Sequence, residues 1–203
     1  MHHPSVVPVR AIARGLACVA LAALPLAAQQ PAGAAAAAPA GPIGPQVGEM
    51  APDFTLPTAT RGGTGAPVTL SSLRGRTVVI AFFPRARTSG CTAQMKAYRD
   101  RYAELFNGGN GVTVLAVSTD ADTTLANWAK EEGFPVTFVS DVNGVTGTPY
   151  GVGVERNGQK LMRRVLFVVG PDGRIQHVMR PFAELSEDSY VALTAAVKKA
   201  RGG

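Results

Sequence analysis

The sequence predicts an α/β domain, a central mixed β-sheet with helices on both faces. Two continuous apolar, β-branched runs, Thr77–Phe83 (TVVIAFF) and Val112–Ser118 (VTVLAVS), have the composition of strands covered on both sides. An amphipathic helical pattern follows each of them. A turn signal at Pro171-Asp172-Gly173 then separates two more strand signals, and a last helical stretch closes the chain.

Taken in order, the first strand signals are Asp53–Leu56 and Val68–Leu70. Thr77–Phe83 is stopped by Pro84. A helix starts near Thr88 or Ser89, either of which suits the N-cap position. Its apolar stripe is Cys91, Met95, Tyr98, Tyr102 and Leu105, spaced by four, three, four and three. Asn107–Gly111 (NGGNG) ends it. Val112–Ser118 leads into a helix capped at Asp120 or Asp122, with Leu125, Trp128 and Ala129 on one face and Gly133 at its end. Val136–Val139 is a short strand. Val145–Val152 is turn-rich, with room for one helical turn. Arg164–Val169 and Arg174–Val178 form a strand pair. Ser186–Ala200 is a helix with Leu193 and Val197 inward and Lys198, Lys199 and Arg201 at the end that suits positive charge. The β-β-β-α-β-α-β-(turn)-β-β-α order fits a thioredoxin-like architecture.

Residues 1–28 have the layout of a secretory signal: Arg10 and Arg14, then an apolar run from Gly15 to Ala28 with small residues at its end. That run has 14 residues, whereas a spanning helix needs about 20. Cleavage near Ala28 is therefore expected, with an uncleaved membrane tether as the alternative. Leu16 stands two residues before Cys18 rather than three, which argues against lipid attachment there. Residues 29–47 are almost all Ala, Pro, Gly and Gln and read as a semi-extended linker. Residues 48–203 remain as one domain, long enough for a real core. The implied location is outside the cytoplasm, in a bacterial periplasm, with no stable membrane insertion after cleavage.

Losing Arg10 and Arg14 takes the formal charge from +6 to +4. The remaining charges are dispersed and of both signs, so nucleic-acid binding has no support. Cys18, His2 and His3 leave with the signal. Cys91 then becomes the single thiol and His177 the single histidine, which removes an internal disulfide and any Cys/His metal cluster. His177 on a hairpin strand, Trp128 at helical spacing and Gly151-x-Gly153 read as structural.

Cys91 falls in the first turn of a helix that follows a buried strand. Unpaired N–H groups and the partial positive charge of a helix N-terminus favour a thiolate there. Arg85 and Arg87 are near in sequence. Yet Cys91 also lies on the apolar stripe, and helical spacing alone favours an inert core cysteine.

The string Pro84-Arg85-Ala86-Arg87-Thr88-Ser89-Gly90-Cys91 is P-x-x-x-T-x-x-C. It resembles the active-site loop of peroxiredoxins. GEMAPDFTL from Gly48, the Leu70–Gly75 turn, the FFP strand ending, Gly-Cys-Thr, Tyr98-Arg99-Asp100 and Arg164-x-x-Phe167 follow the same order. Together they resemble the bacterioferritin-comigratory, or Q-type, branch of the AhpC/TSA family over residues 48–198.

The resemblance implies a thiol-dependent peroxidase that reduces hydrogen peroxide or alkyl hydroperoxides. In it Cys91 is the attacking thiolate, Thr88 bonds the peroxide oxygens, and Pro84 shapes and shields the pocket. Arg164 pairs with thiolate and peroxide, in preference to its neighbour Arg163. It also implies no metal or organic cofactor, and a monomer or weak dimer. Two positions depart from the family. Lys96 stands where many Q-type members carry a resolving cysteine, so an external thiol, either a thioredoxin-like protein or a small molecule, is needed as reductant. Gly170 replaces an Asp expected in a turn. The missing second cysteine also motivates another reading, a redox sensor or partner-binding module that acts through mixed disulfides at Cys91.

Overall fold

A computed structural model describes residues 44–202. The predicted signal and the predicted linker up to residue 43 lie outside the described residues. The strands are β1 (Thr55–Thr60), β2 (Gly63–Thr69), β3 (Thr77–Phe82), β4 (Val112–Ser118), β5 (Thr137–Ser140), β6 (Gly153–Arg156), β7 (Gln159–Met162), β8 (Val165–Val169) and β9 (Ile175–Met179). The helices are α1 (Ser89–Asp100), α2 (Tyr102–Phe106), α3 (Asp122–Glu132) and α4 (Glu187–Arg201). Seven strands form one sheet in the order β2-β1-β5-β4-β3-β8-β9, and β6 and β7 form a separate hairpin. The β3–β4 and β4–β5 pairs are parallel, and β1–β5, β3–β8 and β8–β9 are antiparallel.

β3 explains the layering. Successive side chains of a strand point to opposite faces. Val79, Ala81 and Phe83 join one core with Cys91, Met95, Tyr98, Leu105, Leu125, Trp128, Leu193 and Val197, so α1 to α4 all cover that face. Val78, Ile80 and Phe82 join the other core with Phe54, Leu70, Tyr150 and Phe167. Helical cover on this second face is a 3-10 turn at Leu70–Leu73, assisted by turns around Tyr150. β3 is buried at every position. Burying each such apolar side chain contributes about 1.5–3 kcal/mol before entropy is counted.

Several local expectations change. The helix through Leu105 is two helices, broken at Arg101, whose guanidinium bridges Glu104 and Glu187 at 2.7–2.8 Å and stacks on Tyr190. The apolar spacing runs through this break unaltered, so periodicity does not reveal it. Thr88 holds the N-cap position of α1, one of the two expected, but its hydroxyl makes no capping hydrogen bond. Asp120 and Asp122 do not cap α3. Ala121 holds that position, Asp122 is already helical, and Asp120 is committed elsewhere. Val145–Val152 contains turns and no helix.

The sequence gives little sign of the β6–β7 hairpin. Its residues are mostly exposed and polar, so the usual apolar alternation is missing. Its signal is Asn157-Gly158, both at positive φ (51° and 70°), the dipeptide favoured by tight hairpins. At the other end, Gly44–Val47 of the predicted linker are described, and Pro45 is buried.

Candidate active site

Sheet register places the first functional group. Phe82 pairs with Val165 in the antiparallel β3–β8 ladder. Arg164 is therefore level with Phe83 and shares its face, the one covered by α1. Arg163, one residue away, has the opposite parity and is exposed. From Phe83 the chain crosses the Pro84–Thr88 loop and enters α1, with Cys91 as its third residue.

Cys91 is fully buried. Arg164 Nη2 donates to Cys91 Sγ at 3.4 Å. Its Nη1 donates to Gln94 Oε1, and its Nε meets Glu184 Oε2 at 3.1 Å. Three partners thus fix one guanidinium. Gln94 Nε2 in turn donates to the Tyr98 hydroxyl at 2.9 Å. Burial pushes the Tyr98 phenol far up. The Tyr190 phenol, which donates to the Glu184 carbonyl at 2.7 Å, is pushed up to about 12, by burial first and then by the Glu184 carboxylate. Both phenols stay protonated at neutral pH and serve as hydrogen-bonding groups, not bases.

The loop ahead of α1 is clasped from the next crossover. Ala86 N–H donates to Asp120 Oδ2 at 2.8 Å, and Ser118 Oγ donates to the same oxygen at 2.9 Å. Arg87 holds a left-handed φ of 65°, a conformation that costs a non-glycine residue about 1 kcal/mol. Its guanidinium bonds both oxygens of Glu131 at 2.5 and 2.8 Å, and that pairing holds the Glu131 carboxyl below its usual range. Arg85 donates to Gln159 of the β6–β7 hairpin at 2.8 Å. Neither Arg85 nor Arg87 therefore has the role expected from sequence proximity. Arg164 is the arginine that donates to the sulfur.

Thr88 is exposed just before α1 and turns its hydroxyl onto the Arg85 carbonyl at 3.0 Å. Pro84 and Arg164 together line an open pocket of about 560 Å³, whose wall also holds Arg156, Arg163 and Arg180 beside Leu161 and Met162. Gly90 is a point of close approach. A Cβ there would overlap Glu184 Oε1 and stand 3.2 Å from Arg164 Nη2. Lys96 is half-exposed and pairs with Glu132 at 3.3 Å. Gly170 belongs to the β8–β9 turn, where Asp172 accepts the Arg174 N–H at 2.9 Å. His177 lies on β9 opposite Val168, and Trp128 is core.

Sequence reasoning missed Gln94 and Glu184. Gln94 had one available signal, a polar residue three positions after Cys91 on the same face of the predicted helix. Glu184 had none, because it lies 93 residues from Cys91 in an irregular segment before α4. The assembled site holds a thiol at a helix N-terminus, where the first N–H groups lack helical partners, beside a fixed cation. That arrangement suits a thiolate nucleophile and a leaving group that gains negative charge.

The profile of the AhpC/TSA family matches residues 47–178. The peroxiredoxin Bcp of Escherichia coli strain K12 is 34% identical over 141 residues, which cover 68% of this chain and 86% of that protein. The chloroplastic peroxiredoxin Q of Oryza sativa subsp. japonica is 33% identical over 131 residues, covering 64% of this chain and 57% of that one. Among solved structures, peroxidoxin BcpB from Mycobacterium tuberculosis matches with a TM-score of 0.65 at 28% identity. That match covers 77% of this chain and 98% of that one. The bacterioferritin comigratory protein of Xanthomonas campestris, described in connection with alkyl peroxide reduction, matches with a TM-score of 0.58 at 26% identity, covering 71% and 90%.

Proposed function

The chain belongs to the AhpC/TSA family as a Q-type peroxiredoxin, and on that premise we propose how its thiol-dependent peroxidase activity runs on these residues. The Arg164–Cys91 contact of 3.4 Å is the observation that carries the reading. The Cys91 thiolate attacks the terminal oxygen of a hydroperoxide. A sulfur–oxygen bond forms as the oxygen–oxygen bond breaks, and the electron pair leaves on the second oxygen, which takes a proton to become an alcohol or water. Sulfur is oxidised by two electrons to the sulfenic acid. Arg164 and the α1 N–H groups stand where that negative charge develops, and this favours the transition state over the ground state. Pro84 borders the entry on the Arg164 side. The Thr88 hydroxyl leaves the Arg85 carbonyl to bond the incoming peroxide.

The second half-reaction uses an outside thiol, because position 96 is a lysine. A first thiol condenses with the sulfenic acid, releases water and leaves a mixed disulfide. A second thiol then displaces Cys91 as thiolate and carries away the disulfide. Alkyl hydroperoxides and hydrogen peroxide are the proposed substrates. The wider reading is an exported protein that works as a monomer or weak dimer in the periplasm, its residues 1–28 serving as the signal.

Purified protein given a dithiol should consume hydrogen peroxide or an alkyl hydroperoxide catalytically, and Cys91→Ser should abolish this. Equal rates for the two proteins would remove Cys91 from the mechanism. One stoichiometric oxidation without turnover under small and protein thiols, with a trapped heterodisulfide, would favour the sensor reading.

A further inference from the structure

The site carries a carboxylate that peroxide reduction does not require. Glu184 Oε2 takes Arg164 Nε at 3.1 Å while Nη2 of the same guanidinium takes Cys91 Sγ at 3.4 Å. The side chains of Arg164 and Glu184 are only 12% and 23% exposed, so solvent screens the pair weakly. Glu184 Oε1 sits directly over Gly90, in space that any side chain at that position would fill. The Tyr190 hydroxyl pins the Glu184 backbone from the other side. A fixed negative charge thus stands beside the thiol, held by the same cation that a peroxide must use.

We propose that Glu184 is a specificity-determining residue whose carboxylate makes the Cys91 site discriminate against anionic hydroperoxides and in favour of neutral ones. This rests on the peroxidase reading and deepens it. Arg156, Arg163 and Arg180 line the entry and attract an anion, but one that reaches Arg164 beside the sulfur meets a partner already paired with Glu184. It also brings its charge within a few ångströms of a second anion and the thiolate. A neutral peroxide meets no such repulsion, and its charge appears only at the leaving oxygen as the bond breaks. The same carboxylate orients Arg164, so removing it changes positioning as well as charge. The two effects separate because misplacement slows every peroxide, whereas charge moves the anionic ones relative to the neutral ones.

The test is single-turnover oxidation of Cys91 in the full chain, read by trapping the sulfenic acid with a dione probe and quantifying the Cys91 peptide. No reductant is needed. Hydrogen peroxide serves as the neutral probe and peroxymonosulfate, anionic at neutral pH, as the charged one. In Glu184→Gln, which keeps an acceptor for Arg164 Nε, the anionic-to-neutral rate ratio should rise about tenfold over the unmodified chain. Glu184→Ala should raise the ratio similarly, whatever happens to the absolute rates. A ratio within twofold of the unmodified chain in both variants overturns the proposal, including when both rates fall together. Should either variant fold poorly, the other decides. If neither peroxide oxidises Cys91 in the unmodified chain, the peroxidase reading fails and this inference with it. Oxidation without a ratio change fails this inference alone.

Discussion

A single methyl group at Gly90 should disturb the reactive pair and, more mildly, the fold. Gly90 is the second residue of α1, and the added Cβ of Gly90→Ala would overlap Glu184 Oε1. That is far inside van der Waals contact, so something must move. The inexpensive movement is a swing of the Glu184 side chain, which takes Oε2 away from Arg164 Nε. A hydrogen bond between charged groups contributes about 1.5–3 kcal/mol, and the low exposure of both side chains preserves much of it. Arg164 Nη2 is also crowded, at 3.2 Å from the new carbon, and this is the nitrogen that donates to Cys91. Misplacing a group of this kind by about 1 Å costs on the order of 10²-fold in rate. Helix propensity acts in the opposite direction, since alanine exceeds glycine by up to about 1 kcal/mol. Gly90→Ala should therefore oxidise roughly 10- to 100-fold more slowly, and its thermal midpoint should fall, because helix propensity offsets only part of the lost Glu184–Arg164 bond. Rapid-mixing oxidation of Cys91 and a thermal melt of the same preparation measure the two quantities. Full reactivity in Gly90→Ala would refute the tight contact. A midpoint that rises would refute the loss of the Glu184–Arg164 bond.

Other outcomes follow from the same geometry. Arg164→Ala removes the donor to the sulfur and should cost about 10²–10³ in the oxidation rate, measured with hydrogen peroxide in single turnover, while Arg163→Ala should cost far less. Glu131 has a folded value below its ordinary one, so its pairing with Arg87 favours the native loop above the ordinary carboxyl range near pH 4.3 and is lost as pH falls through the lower folded value. Amide exchange of the Pro84–Thr88 loop should accordingly be faster in Glu131→Gln than in the unmodified protein above that range and equal below it. A difference that persists unchanged into acid would contradict the pairing. Lys96→Cys places a second thiol five residues along α1, about 7.5 Å up the helix axis, beyond the usual disulfide span of about 7 Å. A bridge between Cys91 and the introduced thiol should form after peroxide only with loss of helical circular dichroism, and a bridge with helicity intact would show that α1 already bends there.

Much of the fold could be read in advance because its central strands are extreme. β3 and β4 are apolar almost without interruption, and few structures other than a doubly covered sheet accommodate such runs. Pro84, Gly133 and Gly173 mark ends that chemistry enforces. The β6–β7 hairpin left only its Asn157-Gly158 turn as a trace for the converse reason, since a ribbon lying on the surface has no face to bury. At the site, Cys91 and Arg164 were identifiable through a family motif and strand parity. Glu184 was not, because a side chain that contacts another side chain leaves no periodic trace, and Gln94 offered only its polar character three residues after Cys91. Thr88 shows the limit of motif reasoning: its position was legible, but its hydroxyl's present bond to Arg85 depends on loop conformation. The two loop arginines mislead in the same way. Proximity in sequence suggested help for the thiol, whereas Arg87 is committed to a carboxylate 44 residues away.

The pairing of Phe82 with Val165 has a consequence for how this chain tolerates change. The arginine reaches the sulfur because it is the residue just before a strand locked to β3, not because of any distance counted along the chain. The 24 residues between β5 and Val165 include buried Tyr150, Val152 and Met162, and end in a surface hairpin. At the tip of that hairpin the number of residues is thermodynamically cheap to alter, because closing a longer loop adds only a slowly growing entropy term. Lengthening or shortening Asn157–Gly158 should leave the reactive pair assembled. One residue inserted within Val165–Val169 would instead rotate the strand's alternation and deliver Arg163, or nothing, to the thiol. The hairpin is thus free to diversify as a pocket wall while five residues of sheet hold the chemistry in place.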